Sequence, residues 1–201
     1  MSVMAPRDRR AERTAATRHE ILDAAWELVT AEGLAALTMR ALGARVGMRA
    51  QSLYGYFASK HAIYDAMFGE ANQELARRLS DEPPVGDPET LLRWRTRVLT
   101  EFSVEHPERY LLLFQRTIPG FEPSPESYAP AIALIEDGRV LLRECGVTDP
   151  HGLDAFTAVI SGIVAQQNAN EPGGRRWLRL TDQLIDMYLG FYRDKQTRGT
   201  R

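Results

Sequence analysis

A chain of 201 residues, 44% apolar and 26% charged, can bury a sizeable core and does not have the composition of a disordered polymer. Its net charge of −2 argues against indiscriminate nucleic-acid binding, and no apolar run approaches the roughly 20 residues of a membrane span. The lone Cys145 leaves no intrachain disulfide or cysteine-based metal site, and the opening MSVMAPRDRRAER lacks the apolar stretch of a secretory signal, so the expected location is cytoplasmic.

Residues 1–16 are polar and Arg-rich, without apolar periodicity. Arg7, Arg9, Arg10 and Arg13 predict a flexible basic arm that either reaches phosphates or stays a solvated tail. Ile21, Leu22, Ala25, Leu28 and Val29 then predict a helix over Thr17–Ala31, ended at Glu32-Gly33. Thr38 is an N-cap for a short second helix whose stripe is Met39, Leu42 and Val46. Gly47 allows the chain to leave that helix through positive φ. A third helix is expected from about Arg49 or Ala50 to Phe57, before Ala58-Ser59-Lys60 opens a fourth. Residues 38–60 thus form a candidate helix-turn-helix.

The fourth helix carries Ile63, Met67, Ala71, Leu75 and Leu79 at four-residue spacing and is long enough to link a head to a body. Asp81-Glu82-Pro83-Pro84-Val85-Gly86-Asp87-Pro88 breaks it. Beyond the break, Leu91, Leu92, Val98, Leu99 and Phe102 predict a helix ending before Pro107, followed by an apolar segment from Tyr110 to Ile118. Phe121–Pro130 reads as a loop, and Ile132–Glu144 as a helix closed by Gly146. Two long helices close the pattern, at about 149–169 and 176–195, separated by Glu171-Pro172-Gly173-Gly174. The last is apolar over a wide arc, with Trp177, Leu184, Tyr188 and Phe191 on one side and Leu178, Ile185, Leu189 and Tyr192 on another. So broad a stripe implies a partner. The fold class expected is all-α, with about nine helices.

Charge is unevenly spread. Residues 1–60 hold nine Lys or Arg and six Asp or Glu, a balance of +3, whereas residues 61–201 hold sixteen against twenty-one, a balance of −5. A basic head on an acidic body suits a DNA-contacting head. Arg49, Ala50, Gln51 and Ser52 occupy the start of the third helix, where side chains meet base edges. Gln pairs bidentately with adenine and Arg with guanine, so Gln51 is the expected base reader and Arg49 a base or phosphate contact. Tyr54 and Tyr56 can donate hydroxyls to phosphate. Lys60 adds its charge to an anion-favouring helix start, and Thr38 can hold phosphate similarly. Leu53 and Phe57 read as core.

The row Gly47, Leu53, Tyr54, Tyr56, Phe57, Ser59, Lys60 resembles the DNA-binding domain of TetR-family transcriptional regulators. The upstream Thr17-Arg18, Ile21-Leu22-Asp23-Ala24-Ala25, Leu28, Gly33 and Thr38 extend that resemblance in register, to about Leu79. It implies phosphate contacts at Thr38, Tyr54 and Lys60, a head of residues 17–80 and a helical ligand-binding body of residues 81–201. It also implies a homodimer through the last two helices. Arg49 departs from the family's usual capping Ser or Thr, and Gly55 interrupts the recognition helix, which leaves the operator sequence open.

In the body, Trp94, Phe102, His106, Tyr110, Phe114 and Phe121 supply aromatic surface, and Gln166, Gln167, Asn168 and Asn170 supply amides. Gathered together they would suit a small-molecule pocket, although such stripes also make plain core. His19, His61, His106 and His151 lack metal-ligand spacing, and no phosphate loop or nucleophile elbow is present, so neither a cofactor nor catalysis is expected. Two readings stand: a dimeric regulator binding a double-stranded operator and a small-molecule effector, or a helical small-molecule-binding or scaffolding protein that no longer reads DNA.

Overall fold

The computed structural model describes residues 9–199, with side chains to residue 195. Among the described residues the chain is all helical, with nine α-helices and two short 3-10 turns. The helices are α1 (Arg9–Glu32), α2 (Met39–Arg45), α3 (Ala50–Leu53), α4 (Lys60–Ser80), α5 (Pro88–Glu105), α6 (Pro107–Phe114), α7 (Pro125–Glu144), α8 (Gly152–Asn170) and α9 (Thr181–Gly199).

α1 starts eight residues before the expected Thr17. The described part of the basic arm, Arg9, Arg10 and Arg13 included, is therefore helix and not flexible chain; Arg7 lies outside the described residues. The run RRAERTAA is rich in helix formers, and once the packed turns at Ile21, Ala25 and Leu28 nucleate the helix, extension needs no buried face. α3 is shorter than the expected run to Phe57. It stops at Leu53, and a tight turn carries the chain on, with Leu53 O accepting from both Tyr56 N and Phe57 N at 2.9 Å. Gly55 lies in that turn, which removes the cost a helix-interior glycine would have carried.

The expected Phe121–Pro130 loop is corrected as well. α7 begins at Pro125, which suits a first helical position, and Ser124 caps it by accepting from Ser127 N at 3.2 Å. Pro130 lies inside α7, close enough to its start that one backbone bond is lost without ending the helix. Trp177 does not belong to the last helix: Leu178–Leu180 form a 3-10 turn and α9 starts at Thr181.

The core has two parts. In the head, α1, α2, α3 and α4 enclose Ile21, Leu28, Leu37, Leu42, Leu53, Ile63 and Met67, and α6 of the body contributes Leu112 to the same cluster. In the body, Leu92 of α5, Leu141 and Leu142 of α7 and Ile185, Tyr188, Leu189 and Tyr192 of α9 pack together. Ion pairs fasten α9 to α5, with Arg97 on Asp182 at 2.5 Å and Arg93 on Asp186. α4 belongs to both halves.

Candidate nucleic-acid interface

The interface is built on an elbow between α2 and α3. Thr38 caps α2 through its hydroxyl oxygen, which accepts from Ala41 N at 3.0 Å and leaves the hydroxyl proton free to donate outward. Past α2 and its cap Val46 the chain turns away at Gly47, with φ of +67°, and Met48 N donates back to Gly43 O at 2.8 Å, closing the helix end. Gly43 itself lies against the incoming turn. A Cβ there would sit 2.7 Å from Met48 O and 3.3 Å from Ala50 N. Only a missing side chain lets α3 approach α2 so closely.

On this elbow Arg49, Gln51 and Ser52 are exposed, and Arg49 makes no side-chain cap bond, so its guanidinium is not spent on α3. Tyr54 is 48% exposed. Lys60 is the first residue of α4 and its Nζ lies 5.7 Å from the Tyr64 ring, while Ser59 caps the helix by accepting from Ala62 N. Ala50 and Tyr56 differ, being half-buried and packed against the head core. Leu53 and Phe57 are core, as their spacing predicts. From Gly33 to Lys60 the sequence has no Asp or Glu but holds Arg40, Arg45, Arg49 and Lys60. That acid-free stretch suits a polyanion.

Three more residues shape this surface: Arg18, so far only part of the resemblance, and Gly43 and Asp65, to which the sequence assigned no role. Arg18 of α1 donates to Tyr56 O and lies over the Phe57 ring at 4.1 Å. Gly43 permits the elbow. Asp65 of α4 accepts from Ser124 N at 2.7 Å, Ser124 Oγ at 2.9 Å and Ser127 Oγ at 3.0 Å, tying head to body. A glycine inside a short helix was a usable signal of close approach. Asp65 offers no local signal, because its partners lie some sixty residues on.

The body residues named for a pocket do not converge. Trp94 is half-buried on α5, and Phe102 is wholly buried, 5.8 Å from the His106 ring. Burial, together with Arg109 and Arg78, pushes the His106 imidazole below its ordinary pKa. Tyr110 is buried and accepts from Gln115, whereas Phe114 is 43% exposed. Phe121 packs on His61, Tyr64 and Phe68 of α4. Gln166 and Asn170 lie on the exposed face of α8, bonded to each other at 2.7 Å. The buried amide is Gln167, which holds the Glu171–Trp177 turn by accepting from Trp177 N at 2.8 Å and donating to Glu171 O. A cleft of about 390 Å³ opens between His61, Arg116 and Ile118–Glu122, and of the named residues Phe121 alone lines it. Among the described residues no group of three or more His, Cys, Asp or Glu could hold a metal ion, and no helix is long and apolar enough to cross a membrane.

Residues 21–67, which carry this elbow, match the profile of "Bacterial regulatory proteins, tetR family". Over these residues the chain is similar to the DNA-binding head of tetR-type regulators. The HTH-type transcriptional repressor DrrR1 of Streptomyces coeruleorubidus is 28% identical to this chain over 171 residues, covering 83% of the chain. The chain spans 58% of the length of that curated relative. Among solved structures, the multidrug binding protein EbrR, complexed with imidazole, is 27% identical with a TM-score of 0.62, covering 90% of this chain and 96% of that one. The TetR family transcriptional regulator PfmR from Thermus thermophilus superposes with a TM-score of 0.61 at 23% identity, over 84% of this chain and 96% of its own.

Proposed function

We propose that this protein is a homodimeric transcriptional repressor that binds a palindromic operator through residues 38–60 and is released by a small-molecule effector. The observation that carries the reading is the elbow. Exposed Arg49 stands at the start of α3 and exposed Gln51 and Ser52 on it, flanked by Thr38, Tyr54 and Lys60, on a stretch without a single carboxylate. α3 enters the major groove, Gln51 and Arg49 reach base edges, and Thr38, Tyr54 and Lys60 grip the backbone on either side.

The dimer is supported by what α8 and α9 leave uncovered. Ala155, Ala158, Gly162, Ala165 and Ala169 form an exposed small-residue face on α8, and Met187 and Phe191 of α9 are 63% and 62% exposed. Large exposed apolar groups beside a face that admits close approach suit a four-helix contact between two copies. The name of EbrR, a multidrug binding protein, favours a small-molecule effector.

Selection of bound fragments from a random duplex library, followed by titration with salt, tests this reading. A palindrome with half-sites about one helical turn (34–36 Å) apart and a steep salt slope is the expected result. No enrichment at low salt would instead favour a helical protein that does not read DNA.

A further inference from the structure

Arg18 lies on α1, outside the helix-turn-helix, yet its side chain ends at the far end of the recognition element. The turn after α3 leaves few partners for its carbonyls. Ser52 O takes Gly55 N at 3.2 Å and Leu53 O takes Tyr56 N and Phe57 N, whereas Tyr56 O takes the Arg18 guanidinium. The same guanidinium stacks on Phe57, which is 2% exposed, at 4.1 Å. One planar group therefore satisfies a carbonyl and clamps a core ring, both in the stretch of chain that joins Tyr54 to Lys60. A planar fork with an apolar face can do both at once, which an ammonium cannot.

We infer that Arg18 is a positioning residue for operator recognition, fixing the angle between α3 and α4 without itself touching DNA. α3 has four residues and cannot hold its own direction, since a helix that short is not stable by its own hydrogen bonds. Its aim is set by Gly43 at one end and by Arg18 at the other. The inference rests on the DNA-binding reading above.

The test compares wild type, Arg18→Ala and Arg18→Lys on the selected operator and on random duplex, each at several salt concentrations. Backbone amide exchange of Tyr56, Phe57 and Ala58 is measured in parallel without DNA. Arg18→Ala should lower operator affinity about tenfold, the equivalent of one lost charge-assisted hydrogen bond. Its salt slope and its affinity for random duplex should stay at the wild-type values, because no phosphate contact is removed. Arg18→Lys should recover only part of the loss, and it serves as the test variant should Arg18→Ala not fold. Amide exchange should rise at Tyr56 to Ala58 in both variants.

A salt slope reduced by about 0.9, with full rescue by lysine, would make Arg18 a phosphate contact and overturn the inference. Unchanged operator affinity or unchanged amide exchange would overturn it too. If wild type selects no operator, the DNA-binding reading fails, and the exchange measurement still reports whether Arg18 holds the turn.

Discussion

Gly43→Ala sets two opposing effects against each other, and the geometry decides the sign. Alanine in a helix interior is favoured over glycine by about 1 kcal/mol. Here, however, the new Cβ falls 2.7 Å from Met48 O, where a carbon–oxygen contact ordinarily needs about 3.3 Å, so roughly 0.6 Å of separation is required. The obstructing atoms are backbone, Met48 O and Ala50 N, and cannot swing aside as a flexible side chain would. Overpacking of this kind costs about 1–3 kcal/mol, and weakening the Met48 N to Gly43 O bond adds about 1 kcal/mol. The net expectation is a destabilisation of about 1–3 kcal/mol. Urea unfolding at fixed protomer concentration measures it, since the proposed dimer would make apparent stability concentration-dependent. Because the strain falls on the α2–α3 elbow, operator affinity should drop more than affinity for random duplex. A variant as stable as wild type, with unchanged operator affinity, would refute the claim that the elbow is close-packed.

Replacing Tyr54 with Phe and Lys60 with Ala together should weaken binding to every duplex and lower the salt slope by about 0.9, the signature of one lost cation–phosphate contact; fluorescence anisotropy across a salt series checks it. Asp65→Ala removes three hydrogen bonds to one carboxylate, and with the serines partly regaining water the expected loss is about 2 kcal/mol by urea unfolding. Phe191→Glu should shift the protein to monomer in light scattering and lower operator affinity while leaving helix content intact, because Phe191 is 62% exposed in the single chain. For His106, the folded pKa lies below the ordinary value near 6.5, so the unfolded chain binds the proton first and stability falls as pH drops below about 6.5. His106→Asn should flatten that acid loss in unfolding curves measured between about pH 7 and pH 5, the range in which an ordinary histidine charges.

Residues that act locally were legible in the sequence. Thr38, Gly47 and Ser59 announce helix ends through chemistry confined to one turn, and the structure places each at such an end. The apolar rows in α1 and α4 likewise give the buried faces directly, from Ile21 to Val29 and from Ile63 to Leu75. Two expected irregular segments are helical instead. The second half of the expected Phe121–Pro130 loop belongs to α7, because Pro130 sits near enough to a capped start for the helix to run through it. The arginines before Thr17 were read as disorder for want of an apolar stripe, although a helix already nucleated needs none. Pocket residues were the least legible. Aromatic side chains at helical spacing fill cores and line cavities alike, and only the packing separated buried Phe102 from exposed Phe114.

α4 carries the coupling between halves, and energetics limits how it can move. Along this one helix, Lys60 stands at the end next to the α2–α3 elbow and Asp65 holds the start of α7. Glu70 accepts from Trp26 at 3.1 Å, and Arg109 of α6 lies over that same indole at 4.7 Å. Farther along, Arg78 binds Glu105 at 2.7 Å and meets His106 at 3.3 Å. Pulling the halves apart would forfeit these bonds and expose the partly buried Phe121 and the buried Leu112, the latter worth about 1.5–3 kcal/mol of burial. An effector bound at micromolar affinity has about 8 kcal/mol in total, and reversing a two-state population from 1:99 to 99:1 takes about 5.5 kcal/mol of differential binding. Under the proposed function, then, release from DNA cannot proceed by opening the seam. α4 must swing with α7 and α6 as one packed unit, so that the spacing between two heads changes while the contacts at Asp65, Phe121 and Trp26 persist.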